Sequence, residues 1–137
     1  MLDATDRRII ELLRANARMQ WQEIGDQVHL TGQAVRNRID RLERLGVLEG
    51  YTVRVNADKL GMGVSAYVTV FMKTTDHRGF GQFVRECSLV READRISGEG
   101  CYLLQVLAAD QPALLAFLDE LLAFGNYRVN LSLERLK

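Results

Sequence analysis

The spacing of apolar residues changes once along the chain, near residue 50, and this change constrains the fold more than any other feature. Before it, apolar residues recur every three or four positions, which is the period of an amphipathic helix. After it, the segment YTVRVN at 51–56 alternates apolar and polar residues, as a half-buried strand does. The segment ADKLGMG then follows, and its two glycines indicate a hinge. A chain of 137 residues has room for one ordinary domain or two small ones, and the hinge favours a boundary there.

Three helices are predicted before the change in spacing. Asp3 and Thr31 are good N-cap residues for the first and third helices, and Gly46 is the usual type of residue just past a helix end. The second helix lies within MQWQEIGDQVHL, and His29 is expected in the turn after it, because histidine tolerates a left-handed backbone better than most residues. The residues expected on the apolar sides of the three helices are Ile9, Ile10, Leu13, Ala17, Trp21, Ile24, Val28, Val35, Ile39 and Leu42.

Residues 64–137 predict the order βαββαβ, which is the ferredoxin-like arrangement. The strands are expected within VSAYVTVFMK, VREADRIS, CYLLQVLA and YRVNLSLERL, and the last one should turn Tyr127, Val129, Leu131 and Leu133 inward. The predicted fold is therefore α+β. It comprises a winged helix-turn-helix domain at 1–50, a connecting strand and hinge at 51–63, and a βαββαβ domain at 64–137.

The third helix carries a local excess of positive charge in a chain whose 18 basic and 18 acidic residues balance. Four arginines lie within nine positions there, whereas residues 76–137 contain seven basic and nine acidic residues. A polyanionic partner should therefore meet the N-terminal part. Amide and guanidinium groups opposite the apolar stripe match the edges of adenine and guanine. The candidate DNA-binding residues are Thr31, Gln33, Arg36, Asn37, Arg38, Arg41 and Arg44.

A short turn between amphipathic helices fits a plain helical hairpin as well as a helix-turn-helix. The polar face of the third helix favours the second interpretation, since a merely solvated face more often pairs lysine with glutamate. The motifs LDATDRRIIELLRANAR, EIG..V.LT and AVRNRIDRLERLGVLEGYTVRVN, followed by LG, resemble the leucine-responsive/asparagine-synthesis regulator (Lrp/AsnC) family. The resemblance runs in order along the entire chain.

The resemblance implies a transcription regulator of bacterial or archaeal cytoplasm, associated with the nucleoid. It implies binding to double-stranded DNA, and a βαββαβ domain that senses an amino acid or a related small molecule and drives assembly. In the family the effector lies against the loop between the two middle strands, where the candidate residues here are Gly98, Glu99, Gly100 and Cys101. Cys101 replaces a usual aspartate, which could receive an ammonium group, and Glu99 is a nearby carboxylate. A plain tight hairpin without any ligand is the alternative for this loop.

The apolar residues on the second face of the sheet predict a two-fold dimer that buries this surface, and the family implies tetramers or octamers. No catalytic constellation, metal-ligand cluster or cofactor motif is found, so an enzyme is not expected. Cys87 and Cys101 form no CxxC pair and are expected to be free thiols, and no segment is long enough to span a membrane. The remaining alternatives are a nucleoid-like architectural protein without an effector, and a small-molecule enzyme or binding protein on a ferredoxin-like scaffold.

Overall fold

The computed structural model describes all 137 residues and divides the chain into a helical unit, Met1–Arg54, and a sheet unit, Val55–Lys137. The helical unit contains α1 (Ala4–Ala15), α2 (Trp21–Val28) and α3 (Gly32–Arg44). The sheet unit begins with a short 3-10 helix, Asp58–Leu60, followed by β1 (Val64–Met72), α4 (His77–Glu86), β2 (Val90–Arg95), β3 (Tyr102–Ala108), α5 (Gln111–Leu121) and β4 (Gly125–Leu131). The longest helix has 13 residues, and no helix is long and apolar enough to cross a bilayer.

Side-chain N-caps form at the start of two of the three helices in the helical unit, as predicted. Asp3 and Asp6 form a capping box on α1, in which each carboxylate accepts the backbone N–H of the other residue, at 2.7 Å and 3.2 Å. The Thr31 hydroxyl accepts the Ala34 N–H at 3.1 Å and caps α3. Such caps satisfy backbone donors that a helix start leaves without partners.

The three helices share a small apolar core, and most of the residues predicted on the apolar sides belong to it. Its buried members are Ile9, Leu12, Leu13, Ile24, Val35 and Ile39, and Leu42 is also fully buried. The prediction is wrong at two positions. Ala17 lies beyond the end of α1 and is exposed, and the side of α2 that buries Ile24 leaves Trp21 45% exposed.

The turn between α2 and α3 is tight, and two residues make it possible. His29 adopts φ 60° and ψ 43°, the left-handed conformation that was expected of it. At Gly25, any side chain would collide with the carbonyl group of Leu30. The Leu30 N–H in turn donates to the Gly25 carbonyl at 3.0 Å, so the backbone of the turn closes directly onto α2.

The four strands form one antiparallel sheet in the order β2-β3-β1-β4, which confirms the ferredoxin-like prediction. At the centre of the sheet, Val68 of β1 lies opposite Leu104 of β3 and Val129 of β4. The core lies on one face of the sheet, where strand residues pack against α4 and α5. The buried residues of this core are Ala66, Val68, Val70, Phe80, Leu104, Val106, Ala108, Leu114, Phe117, Leu118 and Leu121.

The segment 51–56 does not form the predicted strand, and no β-wing follows α3. Tyr51, Val53 and Val55 are instead exposed, by 54%, 78% and 53%. A strand needs a second strand to bond its backbone N–H and C=O groups, and nothing in the chain pairs with this segment. Alternation alone therefore gave a wrong prediction for the single chain.

The last strand is shorter than predicted for a related reason. β4 ends at Leu131, and the Ser132 N–H makes a final bond to the Ser65 carbonyl at 2.8 Å. Only Val64 of β1 lies beyond that point, so the partner strand ends there. Leu133 is 95% exposed and does not face the core as expected.

Candidate functional site

The outward face of α3 carries four of the predicted DNA-binding side chains. These are Gln33, Arg36, Asn37 and Arg44, all of them exposed. The Gln33 amide donates to the Asn37 amide oxygen at 3.1 Å, so the two amides lie side by side one helical turn apart. Arg44 donates only to the backbone carbonyl of Asp40, at 3.4 Å. Most donors of this face are therefore left for a partner.

Arg36 is held by an aromatic residue that the sequence did not indicate as functional. Its guanidinium carbon lies 5.0 Å from the centre of the Trp21 ring, within the range of a cation–π contact. A weaker ion pair joins its Nε to Asp40 Oδ2 at 3.9 Å. Trp21 is the first residue of α2, so α2 orients a side chain of α3. No periodicity within one helix reveals such a contact.

Arg38 and Arg41 were also predicted to bind DNA, but the structure pairs them with residues at the start of α1. Arg38 Nη1 lies 2.7 Å from Asp3 Oδ2 and 3.0 Å from Asp6 Oδ1. Arg41 Nη1 lies 3.3 Å from Asp6 Oδ2, and its Nη2 donates to the Met1 carbonyl at 3.0 Å. The residues predicted as one basic stripe thus divide into an outward set and a set engaged within the protein.

Asp6 explains this division because its side chain is only 1% exposed. A buried carboxylate is costly unless a cation and hydrogen bonds compensate it, and Arg38 and Arg41 supply both. The sequence held a signal for this contact. Asp6 shares a helix face with Ile9 and Leu13, at positions i, i+3 and i+7, and an acid on an apolar helix face needs a basic partner.

The same contacts shift the pKa values of Asp3 and Arg38. The hydrogen bond from Arg38, together with the backbone N–H of Asp6, holds the pKa of Asp3 below its usual value. Correspondingly, the hydrogen bonds to Asp3 and Asp6 raise the pKa of Arg38. Both shifts favour the ion pair that joins α1 to α3.

Tyr51, which lies just after α3, is another residue whose pKa is shifted. The Tyr51 hydroxyl donates to Glu43 Oε1 at 2.9 Å. Partial burial of the phenol and this bond to a carboxylate raise the pKa of Tyr51 to about 12. The contact ties the segment that follows α3 to the last turn of that helix.

The loop between β2 and β3 contains the four predicted effector residues and is held at two points. The Cys101 N–H donates to the Val70 carbonyl at 2.7 Å, and any side chain at Gly100 would collide with Thr69. Gly98 and Gly100 have positive φ values of 88° and 86°, which favour glycine. The loop is therefore closely fitted to β1.

Glu99 is paired rather than free at the tip of this loop. Its Oε2 lies 3.6 Å from Arg128 Nη1 of β4, and both side chains are largely exposed. The Arg128 guanidinium in turn lies 5.6 Å from the centre of the Phe71 ring. The Cys101 side chain is half-buried. The carboxylate of this loop is that of Glu99, and it is exposed.

A helix-turn-helix with an amide- and guanidinium-bearing face, joined to a ferredoxin-like unit with a glycine-rich loop, defines a class of DNA-binding regulator with a small-molecule domain. Family comparison agrees with this class. Residues 2–43 match the AsnC-type helix-turn-helix domain, and residues 65–137 match the Lrp/AsnC ligand binding domain. The chain therefore belongs to the Lrp/AsnC family of transcriptional regulators.

Individual relatives cover the chain from end to end. It is 40% identical over 136 residues to the HTH-type transcriptional regulator LrpB of Bacillus subtilis (strain 168), which covers 99% of this chain and 91% of that protein. The solved structure of B. subtilis LrpC superposes with a TM-score of 0.93 at 27% identity, covering 100% and 98% of the two chains. A transcriptional regulator of Neisseria meningitidis in complex with L-Met gives a TM-score of 0.92 at 29% identity, covering 100% and 93%.

These comparisons decide between the classes that the sequence left open. The matched families and relatives are transcriptional regulators and not enzymes, as expected. The architectural alternative without an effector is not supported, because the ligand-binding domain matches residues 65–137.

Proposed function

We propose that this regulator acts in the cytoplasm and reads duplex DNA through the outward face of α3. Gln33 and Asn37 would contact base edges, for which paired amide donors and acceptors are suited. Arg36 and Arg44 would contact phosphates or guanine. The observation that carries the proposal is that these donors are exposed, while the apolar stripe and the cap of Thr31 are used within the fold.

The role of Arg38 and Arg41 in this proposal differs from the one that the sequence suggested. Their guanidinium charges are paired with Asp3 and Asp6, and this pairing weakens their attraction for a phosphate. They would fix α3 on α1 and thereby support the reading face without touching DNA.

The sheet unit would bind a small effector, in keeping with its family domain and with the L-Met complex of the Neisseria regulator. We place the effector at the loop that contains Gly98, Glu99, Gly100 and Cys101. An incoming ammonium group could take the Glu99 carboxylate from Arg128, since that exposed pair is weak. The released guanidinium would then be available for a carboxylate.

The open face of the sheet supports assembly into a two-fold dimer. Tyr67 and Leu103 are 44% and 37% exposed on the face that α4 and α5 leave uncovered. Apolar side chains grouped on one face often mark an interaction site, and a two-fold pair of sheets would bury these. A dimer would also present two copies of α3 to a pseudo-palindromic site. Tetramers or octamers would require further contacts between dimers.

Footprinting on the promoter region of its own gene tests the DNA-binding proposal. Asn37→Ala and Gln33→Ala should each relax base preference by roughly 1–3 kcal/mol if the side chain reads a base. Arg135→Ala is the matched control, because this exposed arginine lies in the sheet unit. Absence of any protected site at moderate salt would refute the proposal.

A further inference from the structure

A groove lies between α4 and β2, and the residues that line it have no role in the proposed function. Its volume is about 180 Å³, smaller than the roughly 300–1,000 Å³ pockets that accept drug-sized molecules. Such a space suits a compound the size of a single amino acid. The groove is lined by Phe80, Gly81, Val84, Arg85, Ala93, Asp94, Arg95 and Tyr102.

Two of the three charged residues that line the groove are cationic. Arg85 of α4 and Arg95 of β2 have no carboxylate within 4.0 Å. Arg95 pairs in register with Tyr102 on the side of the sheet that the helices cover. Asp94 lies opposite Leu103, on the uncovered side, because alternate strand residues face opposite ways. The Asp94 side chain therefore leaves the strand on the other side from that of Arg95, and its carboxylate forms no ion pair with either guanidinium group.

The base of the groove is aromatic and fixed in place. The Tyr102 ring lies 4.4 Å from the ring of Phe80, measured between centres. Its hydroxyl is 2.7 Å from His77 Nδ1, so a hydrogen bond anchors the phenol to the start of α4. The Arg95 guanidinium carbon stands 5.9 Å from the centre of the Tyr102 ring. A ligand would thus meet two cations beside an apolar, rigid surface.

The position of the groove connects it to the proposed effector loop. Arg95 is the last residue of β2 and Tyr102 is the first of β3, so the two residues form the base of the hairpin whose loop contains Glu99. Two guanidinium groups bind a carboxylate through charge-assisted, often bidentate hydrogen bonds. The one carboxylate of the lining, that of Asp94, belongs to the opposite side of β2 from Arg95, so an ammonium group would have no partner of comparable position.

We propose that this groove binds a small carboxylic acid with an apolar side chain through Arg85 and Arg95. Because the carboxylate supplies the charged contact, an amino acid and its 2-oxo acid are accepted alike. The inference rests on the proposed function in one respect, namely that the sheet unit binds a small effector. It differs in the residues that hold the ligand and in the chemical class that is selected.

Calorimetric titration of the full-length protein tests the groove with three probes: L-methionine, the 2-oxo acid of methionine, and L-methioninamide. The first two should bind within about fivefold of each other, and the amide, which has no carboxylate, should bind at least about tenfold more weakly. Arg85→Gln and Arg95→Gln should each weaken binding of both acids about tenfold. The control Arg135→Gln removes the same charge from an exposed residue elsewhere in the sheet unit and should bind like the wild type.

Glu99→Gln separates the groove from the loop. Binding of L-methionine that depends on Glu99 but not on Arg85 or Arg95, with no binding of the 2-oxo acid, would overturn the groove and retain the loop as the effector site. An equal loss in Arg135→Gln would reveal general electrostatic attraction and would also overturn the proposal. Absence of binding by all three probes at millimolar concentration would do the same. Footprinting is a separate measurement, so a failure of DNA binding is distinguished from each of these outcomes.

Discussion

Arg38 and Arg44 permit a direct comparison, because they are the same residue type on the same helix in opposite environments. Arg38 contacts Asp3 and the buried Asp6, whereas Arg44 is exposed and contacts only a backbone carbonyl. Replacing each by glutamine removes one charge and keeps a polar side chain. We expect Arg38→Gln to destabilise the helical unit, and Arg44→Gln to weaken DNA binding without destabilising it.

The size of the first effect follows from the burial of Asp6. Removing one partner of a buried ion pair costs about 3–5 kcal/mol. Arg41 remains 3.3 Å from Asp6, and the Arg38 side chain is 33% exposed, so the cost here should be about 2–3 kcal/mol. Arg44→Gln should stay within about 0.5 kcal/mol, as surface substitutions usually do.

Tryptophan fluorescence during urea unfolding measures this difference. The chain has one tryptophan, Trp21, and it lies in the helical unit, so its emission reports that unit alone. With a urea dependence near 1 kcal/mol per molar, as expected for so few residues, Arg38→Gln should lower the midpoint by about 2–3 M. In DNA titrations, Arg44→Gln should reduce the slope of log affinity against log salt by about one for each copy of α3.

The opposite pattern would refute the reasoning. If Arg38→Gln unfolds at the wild-type urea concentration and reduces the salt slope as Arg44→Gln does, then Arg38 contacts phosphate. The original interpretation of one continuous basic stripe would then be correct.

Three further outcomes are expected in the helical unit. Alkaline titration followed by phenolate absorbance should show a component near pH 12 that Tyr51→Phe removes and Glu43→Gln moves to lower pH; a component that survives Tyr51→Phe would contradict the assignment. Trp21→Ala should weaken DNA binding about two- to fivefold, because it releases Arg36 from the tryptophan ring, whereas Trp21→Phe should retain most of the affinity. Equal DNA affinities of the two variants would exclude an orienting role for Trp21. Because the pKa of Asp3 is lowered in the folded chain, its contribution is present above the ordinary value of 3.8 and is lost as pH falls below it. Urea midpoints measured from pH 6 to pH 3 should therefore fall less steeply in Asp3→Asn, and an unchanged pH dependence would count against this.

Most of the fold could be predicted from the sequence because its signals are local. The caps at Asp3 and Thr31 and the apolar stripe of α3 depend on residues within one helix. The antiparallel βαββαβ order follows from alternating spacing and turn residues along the chain. The strand predicted at 51–56 failed because a strand depends on a partner, and alternation does not say whether one is present.

The candidate site was less predictable because it depends on contacts between helices. The spacing of the arginines gave their number on α3, but not that Arg38 and Arg41 turn towards Asp6. The contact between Trp21 and Arg36 joins residues on two helices, and the groove at Arg85 joins a helix to an edge strand. Such pairs become visible only when the packing is known.

The pairing of one interior acid with two arginines also bears on how the helical unit selects its arrangement. Three short amphipathic helices could bury comparable apolar area with α1 shifted by a turn or reversed against α3. The observed alignment brings Asp6 within reach of both Arg38 and Arg41, and an alignment that separates them would leave a charge in the interior without a partner. Apolar residues at these three positions could give a similar free energy of unfolding but would allow α3 several alternative positions against α1. The proposed contact with DNA through one face of α3 requires a single position of that helix.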